Sequence, residues 1–158
     1  MSPQRDNEMD YIKEIRPLVG HRKIILTAAG AIITQGDQIL LQRRSDNGNW
    51  SLIGGLMELD ETFAETAIRE VREETGLEVK LDYLVGVYHN RHAQWPNGDK
   101  AHVVCAVYKA SILSGEPRID DESLELRFFS KEDLPELPSE DYAEALRDYF
   151  QGVKNRVL

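Results

Sequence analysis

The chain has 158 residues, enough for one well-filled core and few for two, and its 41% hydrophobic and 30% charged residues are the balance of a folded domain in water. With 28 acidic against 19 basic residues the net charge is -9, a field that repels long nucleic acids and argues against polynucleotide partners. No apolar run approaches the ~20 residues needed to cross a bilayer, and the opening MSPQRDNEMD lacks a secretory leader's apolar stretch, so a cytoplasmic protein without membrane contact is expected.

In chain order, Met9 to Val19 carries Ile12 and Ile15 at helical spacing before Pro17 and Gly20, which predicts a short peripheral helix within residues 1–20. The β-branched run Ile24 to Thr34 meets Gln38 to Arg44 across Gln35-Gly36-Asp37, which predicts a hairpin. Ser45 to Asn49 is a turn cluster, followed by Trp50 to Ile53 and the pair Gly54-Gly55. Thr62 and Glu65 have capping-box spacing and Gly76 stands where a left-handed cap is wanted, so a helix is predicted from about Phe63 to Thr75. Leu77 to His89 and Lys100 to Ile112 form a second hairpin through Trp95-Pro96-Asn97-Gly98-Asp99. A short strand at ELRFFS and a closing helix from Tyr142 to Gln151 complete a single α/β (α+β) domain over 1–158, with a core from about 24 to 150 and a mixed sheet. The one cysteine, Cys105, lies in the apolar run AHVVCAVY and reads as a buried thiol.

On the middle helix, Glu70, Glu73 and Glu74 share one face by their i, i+3, i+4 spacing, while Ala64, Ile68, Val71 and Thr75 fall on another. Three mutually repelling acids cost stability unless a cation joins them, and hard divalent cations such as Mg²⁺ take such oxygen ligands together with substrate phosphates. The alternative is a solvated acidic face.

From Gly55 to Leu77 the chain reads GLMELDETFAETAIREVREETGL, and this resembles the Nudix box at every specified position: Gly55, Glu61, Arg69, Glu70, Val71, Glu73, Glu74, Gly76 and Leu77. A chance match has odds of roughly one in ten million at background frequencies. The hairpin before the box, the stretch LLQRRSDNGNWSLIGG, Glu58, ELRFF and the closing helix extend the resemblance over about Leu26 to Phe150. One departure is Leu59-Asp60, where many members have Pro-Gly; the loop should change without touching a metal ligand.

The resemblance implies an α/β/α sandwich and metal-dependent hydrolysis, with Mg²⁺ or Mn²⁺, of a nucleoside diphosphate linked to another group. Candidate substrates are a nucleotide sugar such as ADP-ribose, a (d)NTP, a dinucleoside polyphosphate or an RNA 5′ end; pairing into a homodimer is also common in such domains. It implies metal ligation by the Gly55 carbonyl, Glu70, Glu73 and Glu74, with Glu70 the best water-activating base in the box. Arg69 is expected to orient carboxylates, and Glu61 either pairs with Arg69 or reaches an outer-shell water. A further acid from outside the box would be Glu122 or Glu125. For substrate, one of Arg43 and Arg44 could contact phosphate while the other forms a surface pair, and alternation puts them on opposite faces. Tyr88, His89, Arg91, His92 and Trp95 form a stretch that could stack on a base or ribose, or be an ordinary rim. Trp50 is expected to pack the core and His102 to be structural. Two readings compete with the enzyme: a Nudix-fold binding module without catalysis, and an acidic interaction helix with an accidental match.

Overall fold

The structure, a computed structural model, describes residues 10–158. Met9 and the opening segment thus lie outside the described residues.

Helix α1 (Tyr11–Val19) starts at the N-cap Asp10, whose side chain accepts from the Lys13 N–H, and runs through Pro17 to Gly20 at φ 65°. Pro17 thus does not end the helix; the Gly20 N–H closes the last turn on the Arg16 carbonyl. Strands β1 (Ile24–Gln35) and β2 (Gln38–Arg44) form the expected hairpin, but it pairs only at Thr34 with Ile39 and Gln35 with Gln38. Beyond that point β1 takes β4 (Ile53–Leu56) on the same edge, antiparallel from Ala28 to Ala31. The other edge of β1 lies parallel to β6 (Lys100–Ser114) from Ile24 to Thr34, and β6 pairs antiparallel with β5 (Glu78–Gln94). β2 leaves with β3 (Trp50–Ser51) and β7 (Ser123–Ser130). The mixed sheet therefore splits where β1 divides its edge between β2 and β4.

Alternation along β1 feeds two cores. Leu26, Ala28 and Ile32 pack with Tyr142, Ala145 and Leu146 of helix α3 (Glu140–Phe150); Ala29, Ala31 and Ile33 face helix α2 (Phe63–Thr75) through Ala67 and Val71. This is the expected α/β sandwich with a mixed sheet. Cys105 is buried in the first core. A short strand absent from the sequence prediction, β8 (Arg156–Val157), adds to β5 beside Gly86, and Arg156 pairs with buried Asp148. Among the described residues no helix is long and apolar enough to cross a membrane.

Candidate active site

Helix α2 has the predicted span and both predicted ends. Thr62 and Glu65 exchange their capping-box hydrogen bonds, and Gly76 takes the left-handed conformation at φ 75°. Its buried stripe differs from the sequence expectation: Ala67, Val71 and Thr75 are buried whereas Ala64 and Ile68 are only partly so. Glu74 follows Ala67 and Val71 at i+7 and i+3, so the helix carries it onto the core face, where it is 3% exposed.

Two glycines of β4 receive these acids. A Cβ on Gly55 would stand 2.5 Å from Cδ of Glu70 and 2.6 and 2.8 Å from its carboxylate oxygens, so only glycine lets this carboxylate lie against the strand. At Gly54 the backbone N–H donates to Oε2 of Glu74 (3.2 Å), and Gln42 on β2 donates to the same oxygen (3.3 Å). Gln42 is oriented in turn by the Ser123 hydroxyl (2.8 Å). The split in the sheet is what lets β2 and β4 approach the helix together.

Arg69 is the hinge of the arrangement. Its Nε and Nη2 grip Glu61 at 2.6 and 2.8 Å, its Nη1 donates to Glu70 (2.6 Å) and Glu73 (3.3 Å), and Nη2 also reaches the Leu56 carbonyl (3.0 Å). Glu61 therefore pairs with Arg69. It also accepts from the Glu58 N–H and the Thr66 hydroxyl, which fixes the loop ahead of the helix. In that loop Asp60 has φ 67°, so the left-handed bend that glycine would supply is kept on an aspartate, one of the residues that tolerate it.

The acids stand in a cleft of about 610 Å³ that Gly54, Gly55, Glu70, Glu73, Glu74 and Glu122 line. Burial, opposed by Arg69 and aided by Glu73 and Glu122, pushes the Glu70 carboxyl up to about 7. Burial and repulsion from Glu70 and Glu122 raise Glu74 well above the ordinary carboxylate range. Among the described residues no three acidic, histidine or cysteine side chains form a ready-made metal ligand set, Arg69 instead taking one oxygen each from Glu70 and Glu73. The residues nevertheless fit a hard divalent cation: the donors are carboxylates and backbone oxygen, the acids raise one another's proton affinity, and a glycine leaves room beside Glu70.

The remaining candidates divide. Glu122 lines the cleft, whereas Glu125 is engaged with Arg127 (2.6 Å) and Arg43 (3.8 Å) away from it. Of the two arginines Arg44 reaches the cleft, held bidentately by Asp46 at 3.0 and 2.8 Å, and Arg43 is the surface pair. Trp95 and His92 line the cleft; Tyr88 does not, a correction to its assignment as a stacking residue. Tyr88 is fully buried because side-chain-free Gly86 leaves room for its ring, and its hydroxyl donates to Asp148 (2.7 Å). Trp50 packs edge-on against Phe129 at 4.9 Å and also lines the cleft. His102 pairs with His89 (2.8 Å). Several cleft residues had no sequence signal: Tyr142, whose hydroxyl lies 2.5 Å from where a Gly54 Cβ would be, and Asp10 and Ile12 of α1.

Comparison with known proteins places these observations in a family. The NUDIX domain matches residues 25–150. A "MutT-like protein" of Streptomyces ambofaciens is 35% identical over 128 residues, which are 81% of this chain and 78% of that protein. An "ADP-ribose pyrophosphatase" of Methanocaldococcus jannaschii is 35% identical over 128 residues, 78% of this chain and 72% of its own. The crystal structure of an ADP-ribose pyrophosphatase from Streptococcus suis superposes with a TM-score of 0.69 at 28% identity, over 84% of this chain and 98% of that one.

Proposed function

The chain belongs to the Nudix family and is a hydrolase, and on that premise we propose that it cleaves the pyrophosphate linkage of a small nucleoside diphosphate derivative in the acidic cleft. Glu70, Glu73, Glu74 and the Gly55 carbonyl are the proposed ligands of a divalent cation, Mg²⁺ or Mn²⁺, and Glu122 is the proposed acid from outside helix α2. When bound, such a cation lowers the pKa of a water and offsets charge on phosphate oxygens. Glu70 is the proposed acceptor of the proton that the attacking water loses. The new bond joins water oxygen to phosphorus, the bridging P–O bond breaks, and the products are a nucleoside monophosphate and a second phosphorylated fragment. Arg69 positions Glu70 and Glu73, and Arg44, released from Asp46, is the proposed phosphate contact.

The observation that carries this reading is the Glu70 carboxylate laid against Gly55 in a cleft that Glu73, Glu74 and Glu122 also line. Two similar proteins bear the name ADP-ribose pyrophosphatase, which supports a nucleotide sugar such as ADP-ribose as the substrate. The cytoplasmic setting, the single domain over 1–158 and pairing into a homodimer belong to the same proposal and rest on sequence and family resemblance.

The test is turnover of ADP-ribose, (d)NTPs and dinucleoside polyphosphates with Mg²⁺ or Mn²⁺, reading phosphate-containing products. Turnover that EDTA abolishes and added metal restores is expected. Binding of a nucleotide without hydrolysis would favour the non-catalytic module, and full activity in EDTA would refute the metal site.

A further inference from the structure

Helix α1 forms part of the cleft wall, although none of the metal or phosphate assignments above falls on it. Its N-cap Asp10 and its residue Ile12 both line the cleft. At its start the Tyr11 N–H donates to Oε2 of Glu58 (2.8 Å), 47 residues away in the chain. Towards its end the Arg16 guanidinium donates to the carbonyls of Gly20 (3.0 Å), Arg22 (2.7 Å) and Lys100 (2.8 Å), and stands 3.5 Å from Asp99. Between these anchors the packing is thin. No residue of α1 is buried, and a second cavity of about 140 Å³, bounded by Tyr11, Ile12, Leu26 and Leu56 among others, lies against it. With no buried residue of its own, α1 owes its position beside the cleft to these hydrogen bonds.

We propose that α1 is a specificity element, in which Ile12 and Asp10 meet the part of the substrate beyond the pyrophosphate and Arg16 and Glu58 hold the helix at the required distance. The assignment rests on the function proposed above and deepens it. Ile12 and Trp95 line the same cleft and pack on the same core cluster, which gives the distal group an apolar surface fit for the face of a sugar or base. The Asp10 carboxylate, paired with Lys13 at 3.6 Å, repels a terminal phosphate. The wall therefore selects a derivative that ends in an uncharged sugar over a nucleoside triphosphate.

The experiment measures kcat and KM for ADP-ribose and for ATP on the full chain and on Ile12→Ala, Asp10→Asn, Arg16→Met and Leu18→Ala, with melting temperatures recorded alongside. Ile12→Ala and Arg16→Met should raise KM for ADP-ribose about tenfold with little change in kcat. Asp10→Asn should raise kcat/KM for ATP relative to ADP-ribose. Leu18, 80% exposed on the same helix, should tolerate alanine without effect. Unchanged KM in a folded Ile12→Ala would overturn the assignment even if Arg16→Met failed to fold. So would a fall in kcat at constant KM, because α1 would then act on Glu70 through the Glu58, Glu61 and Arg69 hydrogen bonds without touching substrate. A wild type that turns over neither these nucleotides nor any other of the panel would overturn the hydrolase reading of the cleft itself, and α1 with it.

Discussion

At Glu74, burial and the negative charges of Glu70 and Glu122 raise the carboxyl's pKa, while Arg44 and the Gly54 N–H oppose them. Keeping an acid there costs the fold stability that a cation, bound as proposed above, would offset. Replacing it with its neutral isostere should therefore separate stability from activity. In metal-free buffer Glu74→Gln is expected to raise the melting temperature, by ~2–4 °C for each kcal/mol of repulsion removed. Glu70→Gln, Glu73→Gln and Glu74→Gln should each lower kcat/KM by about a thousandfold, equivalent to ~4 kcal/mol of transition-state stabilisation. Glu65 is the control on the same helix. Its carboxylate serves the capping box at 3.0 Å, so Glu65→Gln should cost no more than about 0.5–2 kcal/mol of stability and leave kcat nearly intact. The opposite pattern, with Glu65→Gln inactive and Glu74→Gln active, would place the acids on the wrong face of the helix.

The helix works because strand β4 meets it with two adjacent glycines whose surroundings differ. A Cβ on Gly54 would press on rigid groups, the Ala29 carbonyl and the Gly30 Cα at 2.7 Å, whereas one on Gly55 would press on the end of the flexible Glu70 side chain. Gly54→Ala is therefore expected to destabilise the β1–β4 pairing and lower the denaturation midpoint. Gly55→Ala should leave the midpoint closer to wild type and lose kcat by displacing Glu70; equal midpoints for the two variants would refute the distinction. The loop ahead of α2 gives a pH-dependent counterpart. Burial alone would raise Glu61, but Arg69, the Glu58 N–H and the Thr66 hydroxyl outweigh it and hold the carboxyl below its ordinary 4.5. A depressed acid contributes stability that is complete above the unfolded value and is lost as pH falls through the folded one. Near neutral pH, Glu61→Gln should cost about 1.5–3 kcal/mol, the value of a hydrogen bond to a charged group. In urea unfolding at graded pH, that cost should shrink as pH falls below the ordinary carboxylate range and the wild-type carboxylate takes up its proton.

Over the whole molecule, a chain of net charge -9 concentrates acids at one cleft whose arginine is already bound to Asp46. A divalent cation that binds the folded state alone stabilises it by RT ln(1 + [L]/Kd), about 2.7 kcal/mol at a hundredfold excess over Kd. Millimolar Mg²⁺ or Mn²⁺ should thus raise the wild-type melting temperature by ~5–10 °C and EDTA should reverse the rise. The double variant Glu73→Gln with Glu74→Gln should show a much smaller shift. Equal shifts would put the cation elsewhere.

Helix α2 was legible in the sequence from its first residue to its last, because a capping box, a left-handed glycine and i, i+4 spacing are local signals that the chain carries wherever it folds. The family, the mixed sandwich and the acids of the box were equally legible, since they depend on residue type at fixed spacing. Other features depended on which distant segments meet. Alternation separated Arg43 from Arg44, but only the β2–β7 register sent Arg43 to Glu125 and left Arg44 facing the cleft. Tyr88 looked like a stacking residue until Gly86 and Asp148 gave it a buried seat, and Glu122 could be told from Glu125 only once β7 lay beside β2. The burial of Glu74 and the approach of α1 to the cleft come from tertiary packing as well. Local spacing specifies what a helix or turn can be, whereas the side of a strand or helix that reaches a site is set by contacts between residues tens of positions apart, as in the 47-residue link from Tyr11 to Glu58.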